Sequence, residues 1–170
     1  PSVGDIPGPV DMVVITVPAQ LVPGIMDECG KKGVKMAVVI TAGFKEMNEE
    51  GKALEERMVS IARNYGVRIV GPNCLGLILP PYKLDTTYVA TSPLPGDIAF
   101  ISQSGAIANA VVGISLSEGS EMGYSEVVSV GNQCDLDFLD YNRNLGKSCH
   151  FGGSPTALAC NYLICTAYHR

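Results

Sequence analysis

Three short segments close apolar, β-branched runs with small or hydrogen-bonding residues: Thr16-Val17-Pro18, Thr41-Ala42-Gly43 and Gly71-Pro72-Asn73-Cys74. Small residues let a ligand approach the backbone, and Thr and Asn offer hydrogen bonds to its polar groups. Ordinary turn chemistry accounts for the same residues, because the strands of any such sheet end in turns. A further segment, Ser102-Gln103-Ser104-Gly105-Ala106, leads from an apolar run into a small-residue helical pattern. N–H groups at a helix start carry partial positive charge, and with Ser102 and Ser104 hydroxyls added they suit a phosphate. A plain Ser N-cap is the bland alternative. This turn is neither a Walker loop, since no Gly-Lys-Ser/Thr follows, nor a Gly-x-Gly-x-x-Gly dinucleotide loop.

Other reactive residue types carry less. Ser129-Val130-Gly131-Asn132 with Asp135 and Asp137 is a strand end followed by acids. Such a group could hold a metal or position a reacting group, but Asp135 as a helix cap is equally economical, and no metal site is expected. Cys74 would react only if its thiolate were stabilised, and no histidine lies near it in sequence, so a small buried residue is the simpler reading. Cys149, His150, Cys160, Cys165 and His169 are zinc-competent, yet their spacing matches no paired Cys-x-x-Cys knuckle.

The elements that must position these residues follow from the hydrophobic pattern. Runs at 11–17, 36–41 and 67–70 read as strands buried on both faces. Helical patterns at 19–32, with Gly30 and Gly33 at its end, and at 46–65, stopped by Gly66, lie between them. This β-α-β-α-β order implies a parallel sheet covered by helices, in whose carboxyl-end crevice ligands bind. Residues 77–95, with Pro80, Pro81, Pro93 and Pro95, read as an irregular linker. The pattern restarts with a strand at 97–101, a helix from Ala106 to about Leu116, a strand at 126–130 and a helix start at 135–141. Residues 142–170 differ in kind. All 17 acids and nine of the 12 basic residues lie in 1–141, a net of −8, whereas the tail holds only Arg143, Lys147 and Arg170, a net of +3. Loss of acids with gain of Cys and His is what translation in a shifted frame produces, and the tail is expected to be out of frame. The lone exception to its lack of period is a short apolar run near 157–164.

Composition bounds the function. The chain has 170 residues, 46% of them hydrophobic, enough for a real core, and a formal charge of −5 that argues against nucleic acid as a partner. No apolar run reaches the ~18 residues of a membrane-spanning helix, so no membrane association is expected. With six Cys, no secretion signal and scattered spacing, reduced thiols in a cytoplasmic protein are expected. The chain opens on Pro1 with its motifs following at once, and a missing natural N-terminus is expected.

The ordered blocks Asp5-Ile6-Pro7 to Asp11, Thr16-Val17-Pro18-Ala19, Val39-Ile40-Thr41-Ala42-Gly43-Phe44, Gly71-Pro72-Asn73-Cys74-Leu75-Gly76, Ile101-Ser102-Gln103-Ser104-Gly105-Ala106 and Val128-Ser129-Val130-Gly131-Asn132 resemble the α region of the nucleoside-diphosphate-forming acyl-CoA synthetase family. That family includes ADP-forming acetyl-CoA synthetases and succinyl-CoA synthetase α subunits. The resemblance covers residues 1–141. It implies an α/β fold: a Rossmann-like, parallel-sheet CoA-binding domain over 1–93, incomplete at its start, then the start of a flavodoxin-like CoA-ligase domain over 94–141, with 142–170 as divergent tail. It implies an acid–CoA ligase (ADP-forming). In such a ligase phosphate splits an acyl-CoA to acyl phosphate, and the phosphoryl group passes to a histidine and then to ADP on a separate ATP-grasp domain or subunit. CoA and a small carboxylic acid are the implied substrates, with ATP, ADP and Mg bound outside these residues.

Carried over by position, the resemblance implies that Val17, Pro18, Thr41, Ala42 and Gly43 line the CoA site, with Asn73 and Cys74 near the CoA thiol end and the phosphate. Ser102, Ser104, Gly105 and Ala106 form the phosphate-receiving helix start. The family's Gly-rich first βαβ unit and its phosphorylated histidine are not found in matching context, so no catalytic residue is assigned, and these 170 residues alone are expected to be inactive. Two alternatives stay open: a non-catalytic CoA- or acyl-CoA-binding module, and the regulatory region of a protein acetyltransferase.

Overall fold

The computed structural model describes residues 2–117, 120, 122–144, 149–150 and 162–166, with backbone alone for 142–144, 149–150 and 162–166. The chain forms two compact units, Pro1–Cys74 with Asn132–Leu136, and Leu75–Gly131 with Asp137–Arg170.

The first unit carries strands β1 (Met12–Ile15), β2 (Met36–Val39) and β3 (Arg68–Val70), parallel and in the order β1-β2-β3. Helix α1 (Val22–Lys32) connects β1 to β2 and α2 (Glu49–Tyr65) connects β2 to β3. Two successive right-handed crossovers in sequential strand order put both helices on one face. The Tyr65 hydroxyl at the end of α2 accordingly donates to Asp27 of α1 at 2.9 Å. Both helices stop where the sequence places glycine: Gly33 and Gly66 take left-handed φ of 83° and 72° and return their N–H groups to the last turn. Asn48 caps α2, its side chain accepting from Gly51 N. Ile15, Val22, Met26, Val39, Phe44, Met58, Ala62 and Ile69 build the core. Burial on both faces holds for β2, where Ala37, Val38 and Val39 are closed off. It fails for β1, whose Val14 is 43% exposed, because β1 pairs with β2 and ends the sheet.

The second unit has strands β4 (Gly76–Leu79), β5 (Leu84–Asp85), β6 (Leu94–Ser102), β7 (Gly123–Ser129), β8 (Cys149–His150) and β9 (Tyr162–Thr166), with helices α3 (Gly105–Ser115) and α4 (Phe138–Asn144). They form one mixed sheet in the order β5-β4-β7-β6-β9-β8, in which β6 and β7 run parallel and the other pairs antiparallel. Leu75, Ile78, Phe100, Ala108, Val112, Tyr124 and Val127 form its core. The reading of 77–95 as linker is corrected here. Gly76–Leu79 is a sheet strand paired to β7, and the two prolines after it open a 3-10 turn, Pro80–Tyr82, that leads into β5. Alternation is lost in Gly-Leu-Ile-Leu because β4 is buried, and only the prolines were conspicuous in the sequence. In the tail, a strand lies at 162–166 antiparallel to β6. The zinc-competent side chains and most of the segment read as out of frame fall outside the described residues. No helix among the described residues is long and apolar enough to cross a membrane.

Candidate functional site

In the first unit the carboxyl ends of β1, β2 and β3 meet, as parallel order requires. The Thr41 hydroxyl donates to Val17 O at 2.7 Å, and Asn73 N donates to Thr41 O at 2.9 Å. Each loop is thus tied to the next by groups that sequence reasoning had singled out. Pro18, Ala42 and Asn73 are exposed there, while Val17, Thr41 and Gly43 are half-buried. Asn73 holds a left-handed φ of 56°, which leaves its side chain on the surface. At Gly71 a Cβ would stand 2.5 Å from Val39 O, so only glycine lets the third loop pass so close to the second strand. Cys74 is 6% exposed, with its thiol donating to Val39 O at 3.3 Å. The thiol belongs to the packing, and what Cys74 offers a ligand is its place in the chain.

A polar cluster that the sequence did not announce braces these loops. One Glu46 carboxylate oxygen accepts from Gly43 N at 2.6 Å and Phe44 N at 3.2 Å. The other accepts from the Asn132 amide at 2.5 Å, which also donates to Glu55 at 2.9 Å. Asn132 Oδ1 accepts from the Asn73 amide at 3.4 Å. Lys45 donates to Asn132 O at 2.6 Å and stands 3.1 Å from Glu55, which is 5% exposed. Burial pushes the Glu46 carboxyl up, but the bonds from Asn132, Gly43 N and Phe44 N outweigh it and hold the group below its ordinary value. Asn132 had been noticed only as part of a strand end. Glu46, Lys45 and Glu55 carried no signal beyond an ordinary charged helix start.

Asp135 is not the helix cap that was expected. The Asp135 carboxylate accepts from the Arg68 guanidinium at 2.8 Å and from Ile69 N at 2.9 Å. It is Asp137 that caps α4, accepting from Leu139 N and Asp140 N. Among the described residues no three His, Cys, Asp or Glu converge as metal ligands. A cavity of about 450 Å³ beside α2 is lined by Lys45, Glu55, Arg63, Gln133 and Cys134 among others, and by none of the positions expected for CoA. Burial, then the neighbouring Glu55 and Asp135 carboxylates, push the Cys134 thiol up to about 12, so it is no nucleophile at neutral pH.

In the second unit Ser104 is the N-cap of α3, its hydroxyl accepting from Ile107 N at 3.4 Å. The Ser102 hydroxyl accepts from Ser104 N at 3.1 Å and donates to Ser104 O at 3.0 Å, and the residue is fully buried. Ser102 therefore shapes the turn from within. Gly105 and Ala106 hold the first helical positions, where backbone N–H groups have no intrahelical acceptor. Leu75 packs against Gly105, with 3.0 Å between its Cβ and the place a Cβ on Gly105 would take.

Comparison with known proteins gives two family matches. Residues 1–80 match a CoA binding domain and residues 95–150 a succinyl-CoA ligase like flavodoxin domain. Over 139 residues, 82% of this chain, the sequence is 50% identical to the α subunit of acetate–CoA ligase [ADP-forming] I of Pyrococcus furiosus. It is 49% identical over 86% of its length to acetate–CoA ligase [ADP-forming] I of Archaeoglobus fulgidus. The chain spans only 30% and 21% of the lengths of these two relatives. An acetyl-coenzyme A synthetase structure from Candidatus Korarchaeum cryptofilum, in complex with phosphate and ADP, superposes with a TM-score of 0.79 at 46% identity, covering 85% of this chain and 30% of that one.

Proposed function

The chain belongs to the family of ADP-forming acyl-CoA synthetases, and from that premise we propose that it supplies CoA and phosphate binding to an acid–CoA ligase. That ligase interconverts acyl-CoA, ADP and phosphate with acid, CoA and ATP. The observation that carries the reading is the convergence of the three loops beyond a parallel sheet, Thr41 tied to Val17 and Asn73 to Thr41. Val17, Pro18, Thr41, Ala42, Gly43 and Asn73 receive CoA, with Cys74 as the buried floor under Asn73. The first turn of α3, opened by Ser104, Gly105 and Ala106 and shaped by Ser102, receives the phosphate. We place the working division at 1–93 for CoA and 94–141 for phosphate. A small carboxylic acid is the co-substrate, and a separate ATP-grasp domain or subunit binds ATP or ADP with Mg. Among the described residues the free Cys29 and Cys134 fit a reducing, cytoplasmic setting.

Calorimetric titration of the chain with CoA tests this. Saturable binding is expected, weakened about tenfold in Asn73→Gly, which keeps the left-handed backbone and removes the amide. Lack of saturable binding, or unchanged affinity in the variant, would count against the assignment.

A further inference from the structure

Two carboxylates, one cation and two amides close a circuit directly behind the loops assigned to CoA. Glu46 clamps the Gly43 and Phe44 N–H groups with one oxygen and the Asn132 amide with the other. Asn132 reaches Glu55 with the same Nδ2 and Asn73 through Oδ1. Lys45 neutralises Glu55 and holds the Asn132 carbonyl. Two carboxylates converging on one nitrogen repel each other unless donors lie between them. The amide and the ammonium supply those donors, and the nearly buried Glu55 gives the circuit a fixed anchor.

We propose that Asn132 is a positioning residue for the CoA site: through Glu46 it sets the Gly43–Phe44 loop, and through its amide oxygen it orients the Asn73 side chain. Asn132 does not itself touch CoA in this account. The inference rests on the assignment of Gly43 and Asn73 to CoA, and it adds why a residue far along the chain matters to that site.

Asn132→Asp is the informative substitution. It keeps the size and removes both N–H donors, leaving three carboxylates facing one another. At neutral pH the circuit opens, and as pH falls the cluster takes up a proton and can close again. CoA affinity in this variant is expected to drop about tenfold at neutral pH and to recover most of that loss on acidification, while the parent chain changes little over the same range. A merely structural loss of stability would not return in this way. Amide hydrogen exchange at Gly43 and Phe44, read without any ligand, is expected to speed up in Asn132→Asp and also in Glu46→Ala, whose exposed side chain can be removed without opening the core.

Unchanged exchange at Gly43 and Phe44 in both variants overturns the positioning role whatever CoA does. Faster exchange with unchanged CoA affinity overturns its relevance to CoA. If the parent chain binds no CoA while exchange responds as expected, the CoA assignment fails and the circuit survives as a brace of the loop.

Discussion

The Asp135 carboxylate holds the Arg68 guanidinium and the Ile69 N–H at once, with the acid's side chain only 17% exposed. Removing it leaves a part-buried backbone donor without its partner, a loss of about 1–3 kcal/mol. Asp135→Ala is therefore expected to lower the urea midpoint and speed exchange at Ile69, and Asp135→Asn to lose less, since an amide oxygen still accepts. Equal stability of all three would refute the assignment. Glu46 adds a pH dependence whose sign is fixed: its folded value lies below the ordinary 4.5, so its stabilisation is complete above that value and fades as pH falls through the folded one. Glu46→Gln should flatten that acid limb. At this scale the sequence singled out Thr41, Asn73 and Ser104 by their residue type at the end of a strand or the start of a helix. It hid the pairing of Glu46 with Asn132, because the two lie 86 positions apart and no spacing rule links them.

The start of α2 shows how an element can overrule its own propensities. Gly51 sits in the first turn of the helix, where Ala would ordinarily gain about 1 kcal/mol. Here a Cβ at Gly51 would stand 2.1 Å from Phe44 O and 2.6 Å from Phe44 C, both backbone atoms that cannot rotate aside. Gly51→Ala must either lift α2 or displace the fully buried Phe44, so a destabilisation of about 1–3 kcal/mol is expected in place of a gain. A raised melting midpoint would show the approach to be looser than described. The helices and the strands β2 and β3 were legible because period and glycine stops agree with their packing. β4 was not, since its neighbours β7 and β5 are what make Gly76–Leu79 a strand, and a Pro-rich flank masks that signal.

Between the two units, order along the chain and order in space part company. Residues 132–136 return to the first unit after the chain has built much of the second. There Asn132 N donates to Pro72 O, Cys134 N to Gly71 O and Leu136 N to Ile69 O, and Asp135 secures Arg68. The Pro-rich break near 93 looked like a boundary because composition records where a chain turns irregular, and is silent on which later segment comes back. A fragment of residues 1–93 would contain every expected CoA-site residue and still lack Asn132. It would expose the carbonyls of Ile69, Gly71 and Pro72, and leave the buried Glu55 with Lys45 but without its amide partner. We expect that fragment to have a lower urea midpoint than the first unit within the full chain, and faster amide exchange along 69–73. Running residues 1–74 through a flexible Gly/Ser linker into 131–137 should restore both, because the linker replaces the connection and returns the five residues. If the 1–93 fragment is as stable as the first unit within the full chain, the returning segment is only a passenger. If the linked chain regains stability and the 1–93 fragment is less stable than it, the first unit is completed by residues that follow β7 of the second sheet in sequence.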